Sequence, residues 1–276
     1  MTREIERLRD GTRERGADCV AVEEPLAITI SHVVDGRRTR SPLTVTMRTP
    51  GRDFDLAAGF LFGEGVISGP SDLEDISRPD DLTDNDEREN TVVVTLAPGV
   101  AIDLGRQQRS FMTSSACGVC GKATLDALVL DGCRPLESST TVAPGVIMRL
   151  PQGLREAQGQ FSATGGVHAC GLFTPRGELR AIAEDVGRHN AFDKLIGAEL
   201  LAGRLSSLAE SIALLSGRAS FELLQKALRA RIPVVAAIGA PSSLAVEIAE
   251  AFGITLAGFV KPAAFNIYAD WGRIRD

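Results

Sequence analysis

Ser211-Ile212-Ala213-Leu214-Leu215, Pro233-Val234-Val235-Ala236-Ala237-Ile238 and Ile254-Thr255-Leu256-Ala257-Gly258-Phe259-Val260 are three short apolar runs in the last third of the chain. Each is too short for a globular helix, and each lacks the polar alternation of a half-exposed strand, so they read as strands buried on both faces. The segments between them, Ser220 to Arg229 and Leu244 to Phe252, carry apolar residues at helical spacing. Strand, helix, strand, helix, strand with short joins implies a mainly parallel sheet covered by helices.

Upstream, Val167 to Phe173 and Leu179 to Ala183 read as two strands joined by Pro175-Arg176-Gly177, followed by a helix from about Ala191 to Leu201. A helical segment over about 147–162, interrupted near Pro151, and a connector over 132–145 precede them. Another helix starts near Gly121 and runs through Leu125, Leu128 and Val129. The N-terminal part has a different character. Residues 1–18 are charged and polar and read as a mobile tail. Strands are expected at Val20 to Ile30 and Leu43 to Met47, joined across the Asp35-Gly36 hairpin signal. After the turn Thr49-Pro50-Gly51, Asp53 is placed to cap a helix over Phe54 to Phe62. Residues 68–90 read as an acidic loop, and Thr91 to Leu96 as a β-branched strand. The expected organisation is a small α+β domain over 19–108 and an α/β domain over 109–276.

Bulk composition narrows the function. The chain has 276 residues, enough to bury a substantial core, and its formal charge of −6 argues against a general nucleic-acid binder. No apolar run spans a bilayer and no apolar h-region follows the N-terminus, so neither a membrane protein nor a secreted one is expected. The five cysteines are odd in number and too sparse for a disulfide scaffold, which suits reduced thiols in the cytoplasm.

The sharpest chemical signal is Ser114-Ser115-Ala116-Cys117-Gly118-Val119-Cys120-Gly121-Lys122. Three readings compete. Half of a zinc site would need a second ligand pair, whereas Cys133, Cys170, His168 and His189 are scattered. A thioredoxin-like dithiol would follow an early strand of a βαβ unit, whereas a serine-rich stretch comes first here. A single reactive thiolate fits best. Small neighbours leave the sulfurs accessible, and Lys122 and a following helix N-terminus both favour the thiolate. Two packed small hydrophobes remain the bland alternative.

Further polar groups gather at strand-to-helix joins. Asp185, Arg188, His189, Asn190 and Lys194 fall between a strand end and a helix start, and His168 follows the turn Gly165-Gly166. Ser216-Gly217-Arg218 and Ala240-Pro241-Ser242-Ser243 occupy equivalent joins, although the latter reads as a plain cap at Ser243. In open α/β sheets ligands bind outside the carboxyl ends of the strands, so these joins suggest a nucleotide-sized ligand. Each side chain alone could equally be a cap or a solvated charge. Phe259 could stack on a base or belong to the core, and His32 is assigned no function.

The combination resembles the FdhD/NarQ family of formate dehydrogenase accessory sulfurtransferases. The resemblance rests on Glu24-Pro25-Leu26, Thr49 to Gly51 with Asp55 to Leu61, Ser115 to Lys122, Thr164 to Ala169, Glu184 to Lys194, Ser216-Gly217-Arg218 and Asn266-Ile267-Tyr268. It implies a carrier that takes sulfur from a cysteine desulfurase. The recipient would be a molybdenum bis(molybdopterin guanine dinucleotide) cofactor destined for formate dehydrogenase. By the same resemblance Cys117 carries the persulfide, Cys120 is the second cysteine, and Phe259, Val260, Lys261, Pro262, Ala263 and Ala264 form a cofactor-binding stretch. The larger domain would have a cytidine-deaminase-like fold without zinc. His168, Asp185 and Arg188 would line pockets for the guanine arms, together with His189, Asn190, Lys194 and Arg218. Two arms suggest a homodimer. Members often have Gly or Arg where Ala263 and Ala264 stand, and Cys170 is unexpected beside His168-Ala169. Two rivals are a zinc-dependent deaminase-like hydrolase and a non-catalytic cofactor chaperone. The hydrolase would need Glu where Cys170 stands and Pro before Cys117.

Overall fold

The computed structural model describes residues 1–100, 102, 125, 126, 128, 129 and 132–276. The Cys117–Cys120 segment and the expected helix start at Gly121 lie outside the described residues.

The mobile tail expected over residues 1–18 is instead a two-stranded antiparallel hairpin, β1 (Thr2–Arg9) and β2 (Thr12–Cys19). Its turn is Asp10-Gly11, with φ of 48° and 81°, the positive values that a two-residue hairpin turn requires. Glu6 faces Arg15 and Arg7 faces Glu14 across the ladder, so opposite charges lie opposite each other. The hairpin is almost wholly exposed. Deleting residues 1–19 is therefore expected to cost less than about 1 kcal/mol, a shift of a few degrees at most in the thermal midpoint. A larger drop in a melting curve would show that the hairpin braces the body of the protein.

A four-stranded sheet follows, in the order β4-β3-β6-β5. Its strands are β3 (Glu24–Val34), β4 (Arg37–Arg48), β5 (Leu73–Ser77) and β6 (Thr91–Leu96). The Asp35-Gly36 turn joins β3 to β4 as expected. The segment expected to be one acidic loop contains edge strand β5 and the short helix α2 (Asn85–Glu89), capped by Asp84. Helix α1 (Asp53–Gly63) packs its apolar residues against this sheet. Asp53 does not cap it. The cap position is Arg52, in the left-handed region with φ of 56°, and Asp53 is the first helical residue. The Asp53 carboxylate is buried and receives Arg48 at 2.9 Å and Arg78 at 2.6 Å. Burial raises its pKa, but the two guanidinium groups outweigh that and the net shift is downward.

The second sheet has six strands, ordered β12-β11-β10-β9-β7-β8. They are β7 (His168–Phe173), β8 (Leu179–Asp185), β9 (Ile212–Leu215), β10 (Val234–Ala237), β11 (Thr255–Lys261) and β12 (Ala264–Ala269). Among the described residues of this sheet only β9–β10 and β10–β11 pair in parallel. The β7–β8, β7–β9 and β11–β12 pairings are antiparallel, so the sheet is mixed rather than mainly parallel. The tight joins at Pro175-Arg176-Gly177 and Pro262-Ala263 enforce this, because a hairpin reverses direction whereas a parallel step needs a crossover.

One face of this sheet carries Ile212, Leu214, Val234 and Ala236 against helix α3 (Pro144–Ala157). Helix α3 runs through Pro151 unbroken, and the break comes instead at Gln158, before α4 (Gly159–Thr164). The alternate residues Ala213, Leu215, Val235 and Ala237 face α5 (Arg188–Leu201), α6 (Phe221–Arg229) and α7 (Ser243–Phe252). One apolar cluster runs from Leu26, Ile28 and Ile30 of β3 through Leu56 and Leu61 of α1 to Phe192 and Leu195 of α5. The α1–α5 contact is close because Gly59 and Gly197 meet there, and a Cβ at either would collide with the opposite backbone.

Candidate functional site

The carboxyl ends of β9, β10 and β11 come together through backbone bonds. Gly239 N donates to Gly217 O at 3.0 Å, Ala219 N to Ala240 O at 3.1 Å and Phe259 N to Gly239 O at 3.1 Å. Gly239 permits this approach, since a Cβ there would lie 2.9 Å from the Gly217 backbone. The resulting rim has little side-chain cover. Helices α5 and α6 both start at this edge, after the caps Gly187 and Ser220, and the Glu222 carboxylate lies over the first turn of α6. Strand β7 runs antiparallel to β9, so His168, at the start of β7, lies at this edge too.

The structure brings His168, Arg188, His189 and Arg218 to that rim. His168 Nδ1 is 3.4 Å from Ser216 Oγ, and the ring touches the position where Gly217 would bear a side chain. Burial holds its pKa down, helped by the positive charge of Arg188 and by His189. Arg188 Nε is buried and finds no hydrogen-bond partner among the described residues. Arg218 is exposed and makes no side-chain hydrogen bond or ion pair among the described residues. His189 Nε2 lies 3.1 Å from Ser220 Oγ and 3.7 Å from Glu222 Oε2. The Glu222 carboxyl is pulled down to about 2, first by its bond with His189. Neither Ser220 nor Glu222 stood out in the sequence. Glu222 looked like any acidic residue in a first helical turn, and its partner lies on another helix.

Three expected pocket residues are placed otherwise. Asp185 is fully buried, and its carboxylate takes Lys194 Nζ at 2.7 Å, Gly187 N at 2.8 Å, Thr49 N at 3.1 Å and Asn190 Nδ2 at 3.2 Å. Lys194 Nζ also donates to Thr49 O at 2.7 Å, and Asn190 Nδ2 to Met47 O at 2.7 Å. This buried network locks the end of β4 onto α5. It commits two of the three N–H donors of the Lys194 ammonium and buries the group to 2% exposure. The helix cap is Gly187.

The 259–264 stretch divides. Phe259 is exposed in the left-handed region, φ 53°, directly after the Gly258 close contact. Val260 points the other way, into the core under α3, and its side chain is unavailable to a ligand. Lys261, Pro262, Ala263 and Ala264 form the exposed hairpin turn between β11 and β12. Cys170 is a packing residue: burial, then the negative charge of Asp193, pushes its thiol far up. The cap of α7 is Ser242 rather than Ser243. Among the described residues no three His, Cys, Asp or Glu side chains cluster as metal ligands, and no helix is long and apolar enough to cross a membrane.

Residues 21–275 match the FdhD/NarQ family, and the chain belongs to it. It is 46% identical over 275 residues to the sulfur carrier protein FdhD of Streptomyces avermitilis, covering 99% of this chain and 94% of that one. It is 45% identical over 262 residues to the protein of that name in Mycobacterium tuberculosis, covering 93% and 92%. With that of Sulfolobus acidocaldarius it shares 42% over 270 residues, covering 98% and 96%. The crystal structure of a putative formate dehydrogenase accessory protein from Desulfotalea psychrophila superposes with a TM-score of 0.73 at 25% identity, covering 100% of this chain and 99% of that one.

Proposed function

We propose that this chain is a sulfur carrier that serves formate dehydrogenase maturation in the cytoplasm. The observation that carries the reading is the Cys117-Gly118-Val119-Cys120 segment within a chain that matches the family over residues 21–275. The donor is a cysteine desulfurase. The Cys117 thiolate attacks the outer sulfur of the desulfurase persulfide; the old S–S bond breaks, the new one forms on Cys117, and the desulfurase cysteine leaves as thiolate. Cys120 stands close enough in sequence to relay the sulfur or shield it. The acceptor is the molybdenum bis(molybdopterin guanine dinucleotide) cofactor, bound as substrate. The rim supports this by its make-up: Arg188, Arg218 and the N-terminus of α5 favour phosphate, and exposed Phe259 offers a face to a base. Two nucleotide arms are best served by a homodimer with one rim per subunit. The β8-β7-β9-β10-β11 order with α3 on one face and α5 to α7 on the other agrees with a cytidine-deaminase-like ancestry.

The test is intact-mass measurement after incubation with a cysteine desulfurase and free cysteine. Wild type is expected to gain one sulfur atom that reductant removes, and Cys117→Ala to gain none. A sulfur adduct that persists on Cys117→Ala would overturn the assignment.

A further inference from the structure

We infer that Glu222 is the specificity-determining residue for the base: its carboxylate reads the Watson–Crick edge of guanine, accepting from N1–H and from the exocyclic amine. This rests on the nucleotide-binding reading above and gives one end of the rim to the base. The other charged side chains there, Arg188 and Arg218, are cations. Glu222 is the exception, and it is held in place. His189 Nε2 lies 3.7 Å from its Oε2, and Ser220 Oγ and the residue's own N–H also bond the carboxylate. Those bonds keep it fixed and ionised, while 41% of the side-chain surface stays open.

The two helix starts differ accordingly. The first turn of α6 carries its own anion, so it repels a phosphate. The first turn of α5 has no acidic residue and no side-chain cap, and Arg188 belongs to it. A diphosphate is therefore favoured at α5, and the base end of the ligand at Glu222. The His189 side chain reaches from α5 to Glu222, so a full side chain separates the two ends. Acceptor chemistry then selects the base. An ionised carboxylate only accepts hydrogen bonds. Guanine offers it two adjacent donors, N1–H and the N2 amine, one for each oxygen. Adenine has an unprotonated N1 in the matching place, and that lone pair faces the carboxylate unfavourably. Hypoxanthine keeps N1–H but lacks the amine, and xanthine has a carbonyl oxygen where the amine would be.

The experiment is calorimetric titration of the full chain with GDP, IDP, XDP and ADP at one pH, which keeps ribose and diphosphate constant and varies only the base. Wild type is expected to bind IDP about tenfold more weakly than GDP, through loss of one hydrogen bond to a charged group, and ADP about 100-fold more weakly. Glu222→Gln is expected to lose about tenfold or more for GDP and to bind ADP no more weakly than wild type does. It should also gain affinity for XDP, because an amide pairs one acceptor and one donor with the N1–H and O2 of xanthine. A carboxylate that held the ribose, or that only positioned His189, would instead weaken GDP and ADP by the same factor in Glu222→Gln. That result, or a wild type that binds GDP and ADP alike, would overturn the inference and leave nucleotide binding standing. No binding of any of the four by wild type would remove the nucleotide reading as well. Sulfur loading of Cys117, read by mass, reports separately on the carrier role.

Discussion

Replacing Lys194 by methionine is expected to lower the unfolding free energy by about 3–5 kcal/mol, the cost of breaking a buried ion pair by removing one partner. The substitution roughly preserves volume, so little of this comes from packing. The cost comes from Asp185, fully buried, which would lose its ammonium partner at 2.7 Å. It would keep the N–H groups of Thr49 and Gly187 and the Asn190 amide. Those three bonds place the expected value toward the lower end of the range. The double variant Asp185→Asn/Lys194→Met should recover part of the loss, because no uncompensated charge then stays buried. Equilibrium urea unfolding measures all three proteins. A Lys194→Met value within about 0.5 kcal/mol of wild type would mean that the ammonium is spent elsewhere. GDP affinity of the folded variant should stay close to wild type, whereas a phosphate ligand at Lys194 would cost affinity and little stability.

The same residue shows where sequence reasoning stops. Glu184 to Lys194 is recognisable as a dense run of hydrogen-bonding side chains, and two of its members, Arg188 and His189, do reach the rim. What divides Arg188 and His189 at the rim from Asp185, Asn190 and Lys194 is the arrival of Met47 of β4 and Thr49 just after it, a tertiary event that no local pattern carries. The sheet interior was legible for the opposite reason. Strands β9, β10 and β11 are covered on both faces and so read as unbroken apolar runs. Of the edge strands, β4 and β8 were legible from their hairpins, but β5 and β12 were not. Strands β5 and β12 have one neighbour each and carry mixed residues, and the charged hairpin of residues 2–19 has no buried face to impose an apolar pattern. Its Asp10-Gly11 turn was the one usable signal there. For Glu222, the chain offers only an acid in a first helical turn; the 3.7 Å approach to His189 exists because two helices start at one sheet edge.

The second large effect is expected at Gly197. A Cβ there would fall on the Asp55 carbonyl and the Gly59 N–H of α1, backbone atoms that no rotamer change can move aside. Gly197→Val should therefore force α1 and α5 apart and cost about 3 kcal/mol or more, at or above the usual overpacking range. Gly197→Ala should also destabilise, although alanine gains about 1 kcal/mol of helix propensity over glycine. Gly153→Ala, in the interior of α3, reports that gain, since its Cβ would meet Phe173 at an ordinary 3.4 Å. Gly59→Ala collides with the Asp193 carbonyl from the other side, so the pair Gly59→Ala/Gly197→Ala should cost less than the sum. Once the first methyl has opened the crossing, the second enters space already made. Unfolding midpoints of these variants decide the point, and additive losses would show that the two glycines do not share one contact. The crossing also has a functional reading. The first turn of α5 carries Arg188 and His189, while Gly197 sits nearer its other end. The buried Asp185–Lys194 network ties the start of α5 to the end of β4, so rim geometry should suffer less than stability, and GDP affinity in the folded Gly197→Ala protein should stay close to wild type.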